Sequence, residues 1–159
     1  MPRPALVTER MWGTVRDALF LGSFRCSSGL QISAQVGSAL EFLHSEGIEH
    51  GSLSIDSVAL IADPRDGSKT VVAKLMNFTA ARQTSDEPLP KADLYKFGVL
   101  LYNMFVKNFG GNLLDRVDPN LFAESMDPRF AANFPELAVL LHSIGAQGLP
   151  VANVSWKHF

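Results

Sequence analysis

His50 and Ser52 are the first residues in this chain whose types and spacing could do chemistry. Side chains two apart on an extended loop point to one side, so an imidazole and a hydroxyl could meet there, as a nucleophilic hydrolase requires. No acid is placed to orient the imidazole, and the pairing is set aside on that ground. Other reactive types are scattered. Cys26 is the only cysteine, and such a residue most often packs as a small apolar side chain. His142 and His158 are isolated, and no Cys/His group has zinc spacing, so no metal is assigned. Gly110-Gly111 lacks the strand and spacing of a phosphate-holding loop.

The bulk properties narrow the classes further. A chain of 159 residues, 47% hydrophobic, has the length of one domain and enough apolar material for a core. A net charge of −2 with both signs dispersed gives no footprint for nucleic acid or an anionic membrane. No apolar run reaches the roughly 20 residues of a membrane span, and MPRPALVTER has no signal-peptide core. A lone cysteine excludes an intrachain disulfide and fits a reducing, cytoplasmic setting. The sequons at Asn77 and Asn153 are read as coincidence.

The elements that must position His50 and Ser52 follow from periodicity. Ala5 to Thr8 reads as a short strand, and Thr14 caps a helix from Val15 to Phe20. Leu30, Ile32, Val36, Leu40 and Leu43 recur at helical spacing over 29–46, with Gly47 at the left-handed stop. Val58 to Ala62 and Lys69 to Met76 read as two strands joined by the turn cluster 63–68, one small antiparallel hairpin. A polar connector with Pro88 and Pro90 leads to 92–108, a helix apolar on nearly every side and therefore central. Residues 110–123 are looser and broken at Pro119, and 136–144 forms a further helix.

In this order the segments resemble a eukaryotic protein kinase. QVGSALEFLHSEGIEH resembles the helix entering the catalytic loop, and 48–60 resembles the loop itself, which the family writes His-Arg-Asp-Leu, three residues, Asn. His50 and Leu53 match; Gly51, Ser52 and Ser57 stand at the Arg, Asp and Asn positions. Asn77-Phe78-Thr79 takes the place of Asp-Phe-Gly, and ADLYKFGVLLYNM resembles the family's central helix, beginning at Asp93. Thr8 takes the gatekeeper position in a hinge remnant over 1–13, where Glu9 and Met11 hold the adenine-binding places. The tail 150–159 resembles the closing helix, with Leu149 where the family has Arg.

The resemblance implies a mainly α (α+β) kinase C-lobe-like domain over 1–159 that has kept its scaffold and lost its chemistry. It implies that Asp93 accepts from the loop backbone, that His50 and Phe78 stack above it, and that Val58, Leu60, Leu100 and Met104 pack as the lower spine. His44 is expected to pack only. Ser52 has no useful basicity, and Ser57 and Asn77 offer Mg²⁺ no counter-charge, so no cofactor is expected. Only 16 positions separate Asn77 from Asp93, which removes the activation loop; its Glu and the Arg it would pair are both gone. The expectation is an inactive, pseudokinase-like scaffold or allosteric partner in intracellular signalling. Without an N-lobe it presents an open apolar upper surface, to be covered by a protein partner, a neighbouring chain or the missing N-lobe of a longer protein. The alternatives are a residual ATP-dependent phosphotransferase and a truncated product with no role of its own.

Overall fold

The structure, a computed structural model, describes residues 8–22, 24–62, 70–84, 91–114 and 122–147. Residues 5–7 of the strand expected at 5–8, the turn cluster 63–68, residues 85–90 of the polar connector, Pro119, Leu149 and the closing segment 150–159 lie outside the described residues. Thr8 lies within them and has no regular structure.

Strand β1 (Gly13–Thr14) runs directly into helix α1 (Val15–Phe20). A reciprocal cap makes the junction: Asp17 Oδ2 accepts from the Thr14 N–H at 2.7 Å while Thr14 Oγ1 accepts from the Asp17 N–H at 3.4 Å. Helix α2 (Cys26–Ser45) begins three residues earlier than periodicity implies and ends at the expected place, with Gly47 at φ +67°. Just after the extra residues comes Gly29, where a Cβ would meet the rings of Phe24 and Phe105 at 3.1 and 3.2 Å. That close approach is why a helix-weakening residue sits inside a helix. Ile32, Val36 and Leu40 form the buried face.

The expected hairpin is shorter and better partnered than the sequence indicates. β3 is Val58–Leu60 and β4 is Ala73–Leu75, paired with Leu60 opposite Ala73. β1 adds on the other side of β3, with Gly13 opposite Leu60, making a three-stranded antiparallel sheet. A second pair joins β2 (Ile48–Glu49) to β5 (Arg82–Gln83), so two small sheets replace the single hairpin. Two-residue strands carry too few alternating side chains to register as periodicity, and tertiary pairing alone reveals them.

Helix α3 (Lys91–Val106) passes through the core and finishes in a 3₁₀ turn at Lys107–Phe109. Phe97, Leu100, Leu101, Tyr102, Met104, Phe105 and Val106 are all buried, each contributing roughly 1.5–3 kcal/mol by removal from water. Two polar residues within this buried stretch, Tyr102 and Asn103, are satisfied. The Tyr102 hydroxyl accepts from the Asp127 N–H at 2.9 Å, and Asn103 exchanges two hydrogen bonds with the Leu114 backbone at 2.7 and 2.8 Å. Helices α4 (Phe122–Ser125), α5 (Pro128–Asn133) and α6 (Pro135–Gln147) close the far side through Phe122, Phe130, Leu137 and Leu141. The result is mainly helical with small antiparallel sheets, as expected. No helix among the described residues is long and apolar enough to cross a membrane.

Candidate functional site

The Asp93 carboxylate anchors the loop 50–53 from the first turn of α3. Oδ2 accepts from the His50 N–H at 2.7 Å and Oδ1 from the Gly51 N–H at 2.9 Å, with Asp93 fully buried. His44, near the end of α2, adds a third donor, its Nε2 lying 3.1 Å from Oδ2 with the ring buried. Burial pushes the Asp93 carboxyl upward, but the hydrogen bonds from His44, His50 and Gly51 outweigh it and hold the group below its ordinary range. The expectation that His44 merely packs is therefore corrected. The second sequence expectation, acceptance from the loop backbone, matches the geometry.

His50 is fully buried and makes two polar contacts through its ring. Nδ1 accepts from the Ser52 N–H at 3.3 Å, which leaves the proton on Nε2, 3.1 Å from the Met76 carbonyl. The ring also lies 4.8 Å from that of Phe78, tilted by 53°. Desolvation pulls the imidazole below its ordinary value; the Met76 carbonyl and Asp93 raise it, and Lys96 lowers it again. Neutral His50 therefore stabilises the fold above its unfolded value of about 6.5, and that contribution is lost as pH falls through the lower folded value. Melting temperature should drop between pH 7.5 and 5.5 in the native chain, and drop less in His50→Phe, which cannot titrate. Parallel curves for the two proteins would rule His50 out as the cause.

The three positions that carry chemistry in the resembling family each hydrogen-bond to another group of the protein, with Ser57 buried and Asn77 exposed. Ser52 Oγ donates to the Asn77 carbonyl at 2.8 Å. Ser57 Oγ donates to the Ser54 carbonyl at 3.0 Å and accepts from the Ser54 N–H at 2.7 Å, an arrangement that closes the turn before β3. Asn77 has φ +64°, the left-handed region that asparagine tolerates better than most residues, and its Oδ1 accepts from Thr79 Oγ1 at 2.9 Å. Ser52 and Asn77 are thus brought together. Ser57 instead serves the Ser54–Ser57 turn. Among the described residues no group of three His, Cys, Asp or Glu side chains could hold a metal ion.

Gly51 has φ +75°, and a Cβ there would run into the Ala80 carbonyl, whose carbon is 3.0 Å away. The 3₁₀ turn Phe78–Ala80 is consequently seated on the loop. Beyond it, the Thr84 N–H donates to the Gly47 carbonyl at 2.7 Å, and Arg82 Nε pairs with the buried Glu49 carboxylate at 2.5 Å. Lys96 Nζ donates to the Gly51 carbonyl from below. Sequence reading missed Lys96; its one signal was a cation in an otherwise apolar helix.

The described part of the segment expected as a hinge remnant, from Thr8 to Trp12, runs beside the sheet. Thr8 Oγ1 donates to the Glu9 carbonyl, Glu9 Oε1 pairs with Lys74 Nζ at 2.5 Å, and the Trp12 N–H donates to the Leu60 carbonyl at 2.8 Å. Arg10, Met11, Trp12 and Ile61 line an open recess of about 310 Å³. Val58, Ala59 and Leu60 are buried, and the exposed large apolar side chains nearest the sheet and loop in sequence are Met11 (45%), Val72 (40%) and Phe78 (46%). Leu100 and Met104 are buried as expected.

No protein-family model matches the chain, and no curated protein does. Among solved structures it is similar to the crystal structure of the Rad53 kinase domain and SCD2. The TM-score is 0.65 and the identity 20%, over 92% of this chain and 60% of that one. The chain thus spans about three fifths of that solved chain. At this identity the likeness speaks to architecture alone: the helices around α3 and the loop held by Asp93 form a protein kinase-like fold.

Proposed function

We propose that the chain is a catalytically inactive, kinase-like module that works by binding a protein partner, as a scaffold or allosteric element in intracellular signalling. The observation that carries this reading is that Ser52, Ser57 and Asn77, two hydroxyls and an amide in place of two acids and an amide, each hydrogen-bond to a neighbouring group. Phosphoryl transfer needs a base for the incoming hydroxyl and carboxylate oxygens for Mg²⁺. Here hydroxyls and an amide stand in those places, groups with neither useful basicity nor the charge of a carboxylate, and each already hydrogen-bonds to a neighbour. A general base alone is worth about 10²–10⁴-fold in rate. In contrast, every contact that holds the loop in shape is present, from Asp93 to the His50–Phe78 stack. Selection for the scaffold without the chemistry accounts for both halves of this pattern.

Under this reading the 159 residues act as one module, and the partner seats on exposed apolar side chains such as Met11, Val72 or Phe78. Exposed aromatic and thioether side chains of this kind are common anchors in protein interfaces. The test is a thermal-shift titration with ATP and Mg²⁺. A nucleotide at 100 times its Kd would add about 2.7 kcal/mol of stability, a readily visible rise in Tm. The expected result is no rise, together with no transfer of label from γ-labelled ATP to a generic protein substrate. A saturable rise accompanied by transfer would replace this reading with a residual phosphotransferase.

A further inference from the structure

In strand β4 the backbone groups of Val72 and Met76 face β3, where the Ile61 N–H donates to the Val72 carbonyl at 3.0 Å and the Met76 N–H to the Ser57 carbonyl at 2.9 Å. By alternation, Val71 and Ala73 turn their backbone groups the other way, toward α2. An outer strand normally leaves such groups to water or to a neighbouring chain. Here two glutamines take them. Gln31 Oε1 accepts from the Val71 N–H at 3.0 Å, Gln35 Oε1 accepts from the Ala73 N–H at 2.8 Å, and Gln35 Nε2 donates to the Val71 carbonyl at 2.6 Å.

The match has a geometric basis. Four residues of helix advance about 6 Å, and two residues of strand advance about 6.6 Å. An i, i+4 pair of primary amides therefore repeats at nearly the spacing of one side of a strand. Each amide can offer both an acceptor and a donor, as a peptide unit does. A glutamine pair on a helix is chemically and metrically a two-rung substitute for a strand.

We propose that Gln31 and Gln35 act as a side-chain ladder that completes the sheet beyond β4. This ladder closes the edge to any incoming strand and fixes the segment leading into the loop contacts. The chain from Ala73 continues to Met76, whose carbonyl receives His50, and to Asn77, whose carbonyl receives Ser52. The ladder therefore reaches the candidate site through four residues of backbone. An incoming strand would have to displace the glutamines to reach the Val71 N–H and C=O or the Ala73 N–H on this edge. The proposal stands whether or not the module is inactive.

Amide hydrogen exchange, resolved residue by residue in the full chain, tests it. In the native protein the Val71 and Ala73 amides should both be protected. Gln31→Leu should speed exchange at Val71 about tenfold or more and leave Ala73 protected; Gln35→Leu should do the reverse. Gln35→Glu keeps the acceptor and should leave Ala73 protected, which guards against a leucine variant that fails to fold. A general destabilisation would deprotect both amides together, along with those of α3. Unprotected Val71 and Ala73 amides in the native chain, or variants that release both equally, would overturn the ladder.

Discussion

Replacing Asp93 by asparagine is expected to cost about 3 kcal/mol or more of stability, although the two side chains have nearly the same shape. The buried carboxylate accepts from two backbone N–H groups, of His50 and Gly51, and from the buried ring of His44. An amide retains one acceptor oxygen and presents an NH₂ group to a donor. At least one buried donor then loses its partner, and the strong charge-assisted bonds become ordinary ones. Breaking a buried charged network from one side typically costs about 3–5 kcal/mol. Urea unfolding monitored by tryptophan fluorescence or circular dichroism reads this directly. A loss under 1 kcal/mol would mean that the loop 50–53 does not depend on Asp93. The native protein should also lose stability in acid. The folded carboxyl lies below its unfolded value of about 3.9, so its contribution is complete above that value and disappears as pH falls through the folded one. Asp93→Asn removes this acid limb.

Gly51→Ala should be comparably damaging, and for a different reason. A left-handed backbone costs an L-residue about 1–2 kcal/mol relative to glycine. At this position the new methyl also meets the Ala80 carbonyl, which is backbone and cannot rotate away. Relief requires moving the 78–80 turn, and with it the Phe78 ring from its place against His50. An overall loss of about 2–4 kcal/mol is expected, with altered exchange at 78–84 as its local signature. The consequence reaches function. Converting Gly51 and Ser52 to the arginine and aspartate of the resembling family should yield a less stable protein and no phosphotransfer. A stable, active double variant would contradict both the packing account and the proposed inactivity.

These two positions show how the sequence and the tertiary structure divided the work. The periodic helices were legible because burying one face of a helix imposes a 3.6-residue repeat on the chain, and α2 and α3 carry it. The Thr14 cap and the stop at Gly47 were legible because helix ends need particular local chemistry. The acceptance of the loop backbone by Asp93 was legible only through the order of motifs, since nothing in the local sequence points an acid at residues 43 positions away. The two-residue strands β1, β2 and β5 were not legible at all, because pairing of that length is decided by the partner and not by the strand.

The sequence by itself determined the helical framework and the identity of the residues at the loop: a histidine kept, and serines and an asparagine where acids and an amide might stand. What only the tertiary structure decided is how those residues spend their hydrogen bonds. His44 joins Asp93, Ser52 closes on Asn77, Gly51 lies beneath Ala80, and the glutamines of α2 complete a sheet. The physical reason is range. Helix periodicity and caps act within a few residues, whereas buried polar groups must find partners wherever the fold places them, at separations of 25 to 49 positions here.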